Sequence, residues 1–220
     1  MKAILFGSIG TLADTSELQR QAFNEAFAIH GLDWQWGRDQ YITMLTVSGG
    51  AQRIAGYAQA RDLDVDAAAI HATKSARFHD LLDEAVLEPR AGVVDTIGRA
   101  RELGIAVALV TTTSPGNVTA ILNALGPQVE RTDFGIITDA TQVQRPKPAA
   151  DAYTRTLAKL GHAPQDCVAI EDNPGGVTSA TAAGVACAVF PNANTIGHDF
   201  GHAVVIDRID VDELRALAAP

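Results

Sequence analysis

Apolar residues in this chain fall into short unbroken runs separated by stretches of helical period. The runs at 2–6, 105–110, 135–138, 167–170, 186–190 and 203–206 have the length of strands, and their lack of polar alternation predicts strands covered on both faces. Helical periodicity occupies roughly 92–102, 115–125, 151–160 and 174–183 between them. Strand and helix alternate, which predicts an α/β protein with a doubly wound parallel sheet. The stretch 15–86 breaks the alternation and is helical almost throughout. It reads as an all-helical cap inserted into a core made of 1–14 and 87–220. Its first helix carries Leu18, Ala22, Ala26 and Ile29 on one face, and Ser16-Glu17-Leu18-Gln19 has the form of a capping box. A second helix over 67–82 turns Ile70, Phe78, Leu81 and Leu82 toward a small helical core, and Pro89-Arg90-Ala91-Gly92 returns the chain to the sheet.

Composition narrows the class. The 220 residues are 47% hydrophobic and 20% charged, the balance of a globular protein rather than a disordered or membrane-spanning one. A formal net charge of −9 with no Lys/Arg cluster disfavours nucleic acid and anionic membranes as partners, while one local basic pocket would still take a small anion. Met1-Lys2 leads directly into the first strand, so no signal peptide is expected and the cytoplasm is the expected compartment. Cys167 and Cys187 lie in apolar runs with no metal-like spacing and read as buried reduced thiols.

Four signatures follow predicted strands. The first strand runs into Leu5-Phe6-Gly7-Ser8-Ile9-Gly10-Thr11-Leu12, with Asp14 just beyond. Thr111-Thr112-Thr113-Ser114-Pro115 follows the second; Ser114 reads as an N-cap and Pro115 as the first helical residue, and such a helix start is also an anion site. Arg145-Pro146-Lys147-Pro148 places a lysine between prolines, ahead of a helix opened by Asp151. Glu171-Asp172-Asn173-Pro174-Gly175-Gly176 follows the fourth strand, where an Asp or Asn cap is the plain alternative to an acidic ligand site. In this order and context the four segments resemble the motifs of the haloacid dehalogenase superfamily, the first of which is written h-F-D-x-D-G-T-L. The resemblance covers nearly the whole chain and implies a Rossmann-like core with a helical cap. The cap segments Arg20-Gln21-Ala22-Phe23-Asn24-Glu25-Ala26-Phe27, Gly31-Leu32-Asp33-Trp34 and Ser48-Gly49-Gly50-Ala51-Gln52-Arg53-Ile54 are similar to the beta-phosphoglucomutase, phosphoglycolate phosphatase and CbbY-like xylulose-bisphosphate phosphatase branch.

In that superfamily the first aspartate attacks to form a covalent aspartyl intermediate and the second serves as acid and base. Gly7 and Ile9 stand at those two positions, and neither side chain can attack or exchange a proton. The resemblance implies that Thr111 and Thr112 hold the transferred phosphoryl group, that Lys147 neutralises its charge, and that Glu171 and Asp172 hold Mg²⁺. Gln19 and Arg53 are the cap positions it turns toward substrate. Gln19 stands where relatives commonly have a histidine, which a capping role explains, and Ala51 where a lysine is common. With a carboxylate gone, Mg²⁺ is expected to bind more weakly. Repulsion of an incoming phosphate falls by about 4 kcal/mol for a pair about 4 Å apart at an effective dielectric constant of about 20. Two arrangements are open to Lys147: it receives an anion, or it pairs with Asp172 and closes the site.

The remaining residues suggest no second chemistry. His71 and His79 lie eight apart on one cap helix, too far for joint ligation, and with His30, His162, His198 and His202 they read as surface histidines. Trp34 and Trp36 read as packing of the cap in preference to a sugar-binding pair. Ser8 should point away from the face of position 7, and Asp14 reads as structural. The function this predicts is a phosphatase-like protein that binds a phosphorylated small molecule without turnover. An enzyme with a relocated carboxylate or a metal-bound water, and a purely structural or interaction protein, are the alternatives.

Overall fold

In the computed structural model, which describes residues 1–7, 9–46 and 49–218, six parallel strands form one sheet in the order β3-β2-β1-β4-β5-β6. They are β1 (Ala3–Phe6), β2 (Ala106–Val110), β3 (Ile136–Thr138), β4 (Cys167–Glu171), β5 (Ala186–Val189) and β6 (Val204–Val205). The register pairs Phe6 with Leu109 on one side and with Ile170 on the other. Alternate side chains leave the sheet on opposite faces. Ile4, Phe6, Leu109, Val168 and Ile170 enter one buried cluster, and Ala3, Leu5, Val110, Cys167 and Ala169 enter a second. The unbroken apolar runs are therefore explained by burial on both faces, as predicted for a doubly wound sheet. The edge strand is shorter than its apolar run, and Val204 and Val205 are exposed.

Ten α-helices surround this sheet among the described residues: α1 (Ile9–Leu12), α2 (Ser16–Ile29), α3 (Arg38–Met44), α4 (Gly50–Gln59), α5 (Ala67–Glu84), α6 (Val93–Glu102), α7 (Pro115–Leu125), α8 (Asp151–Leu160), α9 (Pro174–Ala182) and α10 (Val211–Leu217). Helices α2 to α5 fill the stretch that interrupts the alternation. They enclose a third cluster built on Phe23, Phe27, Trp34, Trp36 and Tyr41. Trp36 lies 4.8 Å from Phe23 and 4.7 Å from Phe27 by ring centroid, so both tryptophans pack, as their sequence context suggested. Phe78 and Leu82 at the far end of α5 join the first sheet cluster instead, tying these helices to the core.

Several local expectations are corrected. Ser16 lies inside α2, so the capping box does not form; Asp14 Oδ1 accepts from the Ser16 backbone N–H (3.1 Å) and hydroxyl (2.5 Å). The buried face of α2 is Ala22, Phe23, Ala26 and Phe27, while Ile29 in the last turn is 60% exposed just before Gly31 (φ 70) ends the helix. Ile9 and Gly10 open a short helix instead of a plain turn. Ser8 and Ser48 lie outside the described residues. Cys167 and Cys187 are free thiols, and burial pushes Cys167 up to about 11. Among the described residues no helix is long and apolar enough to cross a membrane.

Candidate active site

The sheet order reverses between β1 and β4: the chain builds outward through β2 and β3, then crosses to the other side of β1. Ligand sites of open α/β sheets lie at the strand C-termini of such a switch point. Gly7 follows β1 there, Glu171 closes β4 and Asp172 follows it, and Thr111 follows β2. A cleft of about 960 Å³ opens above them, roofed by residues of α2, α4 and α5.

Thr111, Thr112 and Lys147 all line this cleft, so the phosphate-binding residues expected from the sequence are brought together. Thr111 Oγ1 accepts from the Thr113 backbone N–H (3.2 Å), and Ser114 caps α7 by accepting from the Asn117 N–H (3.2 Å). The loop is thus wound tightly into a helix N-terminus, which carries partial positive charge.

Lys147 is 6% exposed and all three of its donors are engaged. They reach the Gly7 carbonyl, the Val110 carbonyl (2.7 Å) and Glu171 Oε1 (2.5 Å). Its partner is therefore Glu171 rather than Asp172, a correction explained by the depth of both side chains. Glu171 is 0% exposed and does not reach the cleft surface. The Tyr153 phenol donates to the same Oε1 (2.6 Å), and Oε2, without a hydrogen-bond partner among the described residues, is turned against Gly176 in the first turn of α9. Burial pushes the Glu171 carboxyl up, opposed by Lys147; burial and Glu171 hold Tyr153 well above its usual range, so it remains a donor.

Asp172 does face the cleft. Its Oδ1 accepts from the Asn173 amide (2.8 Å) and its Oδ2 from the Asn192 amide (3.1 Å), and Oδ2 sits so close to Gly10 that a Cβ there would collide with it. Only glycine fits at position 10 beside this carboxylate. The divalent cation implied by the family resemblance finds a poor donor set here. Glu171 Oε1 is shared by an ammonium and a phenol, Gly7 and Ile9 bring no side-chain oxygen, and among the described residues no group of three or more His, Cys, Asp or Glu is placed to hold a metal.

Gln19 of α2 and Arg53 of α4 also line the cleft. Gln19 does not cap its helix; its side-chain oxygen accepts from the Lys74 ammonium. Arg53 donates to the Met44 carbonyl (3.0 Å) and lies over Phe23 and Tyr41 at 5.8 and 5.7 Å. Sequence reasoning missed Lys74, a cleft residue 4% exposed, held over the Phe23 ring at 4.9 Å and the Phe78 ring at 4.6 Å. Burial, then Arg53, pushes it down to about 7. Its signal was present: Ile70, Lys74, Phe78 and Leu82 recur every four residues, which puts a lysine in the middle of an apolar stripe. His71 and His79 are also cleft residues rather than surface ones. Burial lowers His71, and His79 Nε2 donates to Asn117 Oδ1 (2.7 Å), linking α5 to α7.

Residues 1–184 match the family described as haloacid dehalogenase-like hydrolase. The chain is 37% identical over 206 residues to the protein CbbY of Rhodobacter capsulatus, covering 92% of this chain and 91% of that one, and 39% identical over 206 residues to the CbbY of Cereibacter sphaeroides, covering 92% and 90%. The crystal structure of CbbY from Rhodobacter sphaeroides in complex with phosphate superposes with a TM-score of 0.87 at 38% identity, covering 94% of each chain; a mutant of it in complex with xylulose-(1,5)-bisphosphate gives the same values. Sheet order, cleft position and these matches agree: the chain belongs to the haloacid dehalogenase-like hydrolase family, in its CbbY-like branch.

Proposed function

We propose that this chain binds a phosphorylated small molecule of the sugar-phosphate class in the cleft and does not turn it over through an aspartyl ester. One observation carries the reading. No carboxylate leaves the end of β1, and the volume a side chain at position 7 would enter is filled by the Glu171 carboxylate and the Tyr153 phenol, neither of which reaches the cleft. Binding is supported by the α7 N-terminus with Thr111 and Thr112 on one wall and by Arg53 and Lys74 on the other. The ligand class is supported by the bisphosphate and phosphate held by the CbbY structures. In this reading residues 15–86 are the cap, and 1–14 with 87–220 the core that carries the phosphate loop.

A panel of phosphate esters with Mg²⁺ tests the proposal, with thermal shift run beside it. The expected result is stabilisation by some sugar phosphates and no hydrolysis; turnover at roughly 1 to 10³ per second would overturn it. Gly7→Asp with Ile9→Asp should not by itself create hydrolysis, because Glu171 and Tyr153 fill the volume that a side chain at position 7 would need. A second reading, a hydrolase with relocated chemistry, rests on Asp172, which faces the cleft beside Thr111 and Lys147. Mg²⁺-dependent hydrolysis lost in Asp172→Ala would favour it.

A further inference from the structure

The site's charge is balanced from within. Lys147 has spent its three donors on two carbonyls and Glu171, and Glu171 stands in the volume that a side chain at position 7 would need. A divalent cation above β1 and β4 requires several oxygens converging on one point. Here Glu171 Oε1 is tied to an ammonium and a phenol, Oε2 is turned toward α9, and Asp172 is held by two amides. Recruiting Glu171 to a cation would strip a buried ammonium of its counter-charge, which is costly in an interior.

From this geometry we infer that the Lys147–Glu171–Tyr153 cluster has replaced both a residue-7 carboxylate and a divalent cation, so that the cleft takes its anion without Mg²⁺. The inference rests on the binding reading above and names the condition under which binding occurs. Glu171 then acts as a built-in rival of the ligand: its negative charge sits beside the ammonium nearest the phosphate loop and lowers the attraction felt by an incoming anion.

Titration of the unaltered chain with inorganic phosphate, followed by calorimetry in EDTA and again in millimolar Mg²⁺, tests this directly. The expected result is one affinity, equal within about twofold, in both conditions. Glu171→Gln keeps the shape and removes the charge, and it should bind phosphate about tenfold more tightly, still without response to Mg²⁺. Circular dichroism confirms folding of the variant, and the measurement on the unaltered chain stands even if that variant is unstable. Phosphate bound tenfold or more tightly with Mg²⁺ than with EDTA overturns the inference and leaves the binding reading intact. Equal or weaker binding by a folded Glu171→Gln also overturns it. Absence of binding in both conditions overturns both.

Discussion

The Glu171 carboxyl carbon lies so near the backbone of Gly7 that the two positions cannot both carry their side chains into the same space: a Cβ on Gly7 would overlap Glu171 Cδ and Oε1 and the Tyr153 hydroxyl. Gly7→Ala should therefore destabilise the fold by about 1–3 kcal/mol, the usual cost of overpacking. In a Glu171→Ala background, where that volume is vacated, the same substitution should cost much less. Urea denaturation of the four proteins measures the coupling. An unchanged cost would place the limit at the phenol rather than at the carboxylate.

Lys147 and Glu171 form a pair buried on both sides, and breaking such a pair hurts more than replacing it. Lys147→Met takes the counter-charge from Glu171, which keeps only the Tyr153 phenol, and takes the ammonium donor from the Gly7 and Val110 carbonyls. It should cost about 3–5 kcal/mol. The double variant Lys147→Met with Glu171→Gln has no orphaned charge and should recover a large part of that loss. Chemical denaturation checks the order: additive losses would mean that the two side chains do not act as a unit.

The strands of this fold were legible because burial on both faces leaves unbroken apolar runs, as at Ala3–Phe6 and over 167–170 of β4. The loop 111–114 was legible because it follows a strand end, and Lys147 because it lies between β3 and the helix that Asp151 opens. The pairing inside the site was not. Lys147 had two neighbouring acids, Glu171 and Asp172, and only the register of β1 against β4 shows which one turns inward and which faces the cleft. Gln19 was misread for a related reason. Its spacing from Ser16 fits a local cap, but its partner is Lys74, 55 residues away on α5. Helices α3 and α4 went unassigned because each buries too few side chains to leave a periodic apolar stripe: only Tyr41 is buried in α3, and only Ile54 and Ala58 in α4.

His79 on α5 donates to Asn117 on α7, and the Asn117 amide donates to Thr113 Oγ1 (2.7 Å), so a side chain of α5 is bonded in series to the loop 111–114. His79→Ala should cost about 0.5–1.5 kcal/mol, the net worth of one hydrogen bond. It should also speed amide hydrogen exchange across the first turn of α7 more than in the sheet. Equal exchange in that turn before and after the substitution would show that the bond does not restrain the loop.

Lys74 makes the protein's behaviour near neutrality depend on pH. Burial, reinforced by Arg53, pushes its ammonium from 10.5 down to about 7, so between those values the unfolded chain holds a proton that the folded chain has released. Stability must then rise with pH across that window, by no more than ~1.4 kcal/mol per pH unit from this one group, and the penalty is fully present below about 7. Lys74→Met should flatten the rise. Anion binding runs the other way. An anion in the cleft favours the ammonium form, so affinity should fall as pH climbs above about 7, and binding at pH 8 should draw a proton from solution. Sulfate is the clean probe, because it does not itself titrate in this range. Burial together with Lys74 and Arg53 holds the neighbouring His71 below its ordinary value, so it stays neutral at pH 8 and supplies no competing proton. Calorimetry of sulfate binding at pH 8, in two buffers of different ionisation enthalpy, should report net proton uptake in the unaltered chain and none in Lys74→Met. Equal heats in both buffers for the unaltered chain would show that Lys74 is not the group that meets the anion.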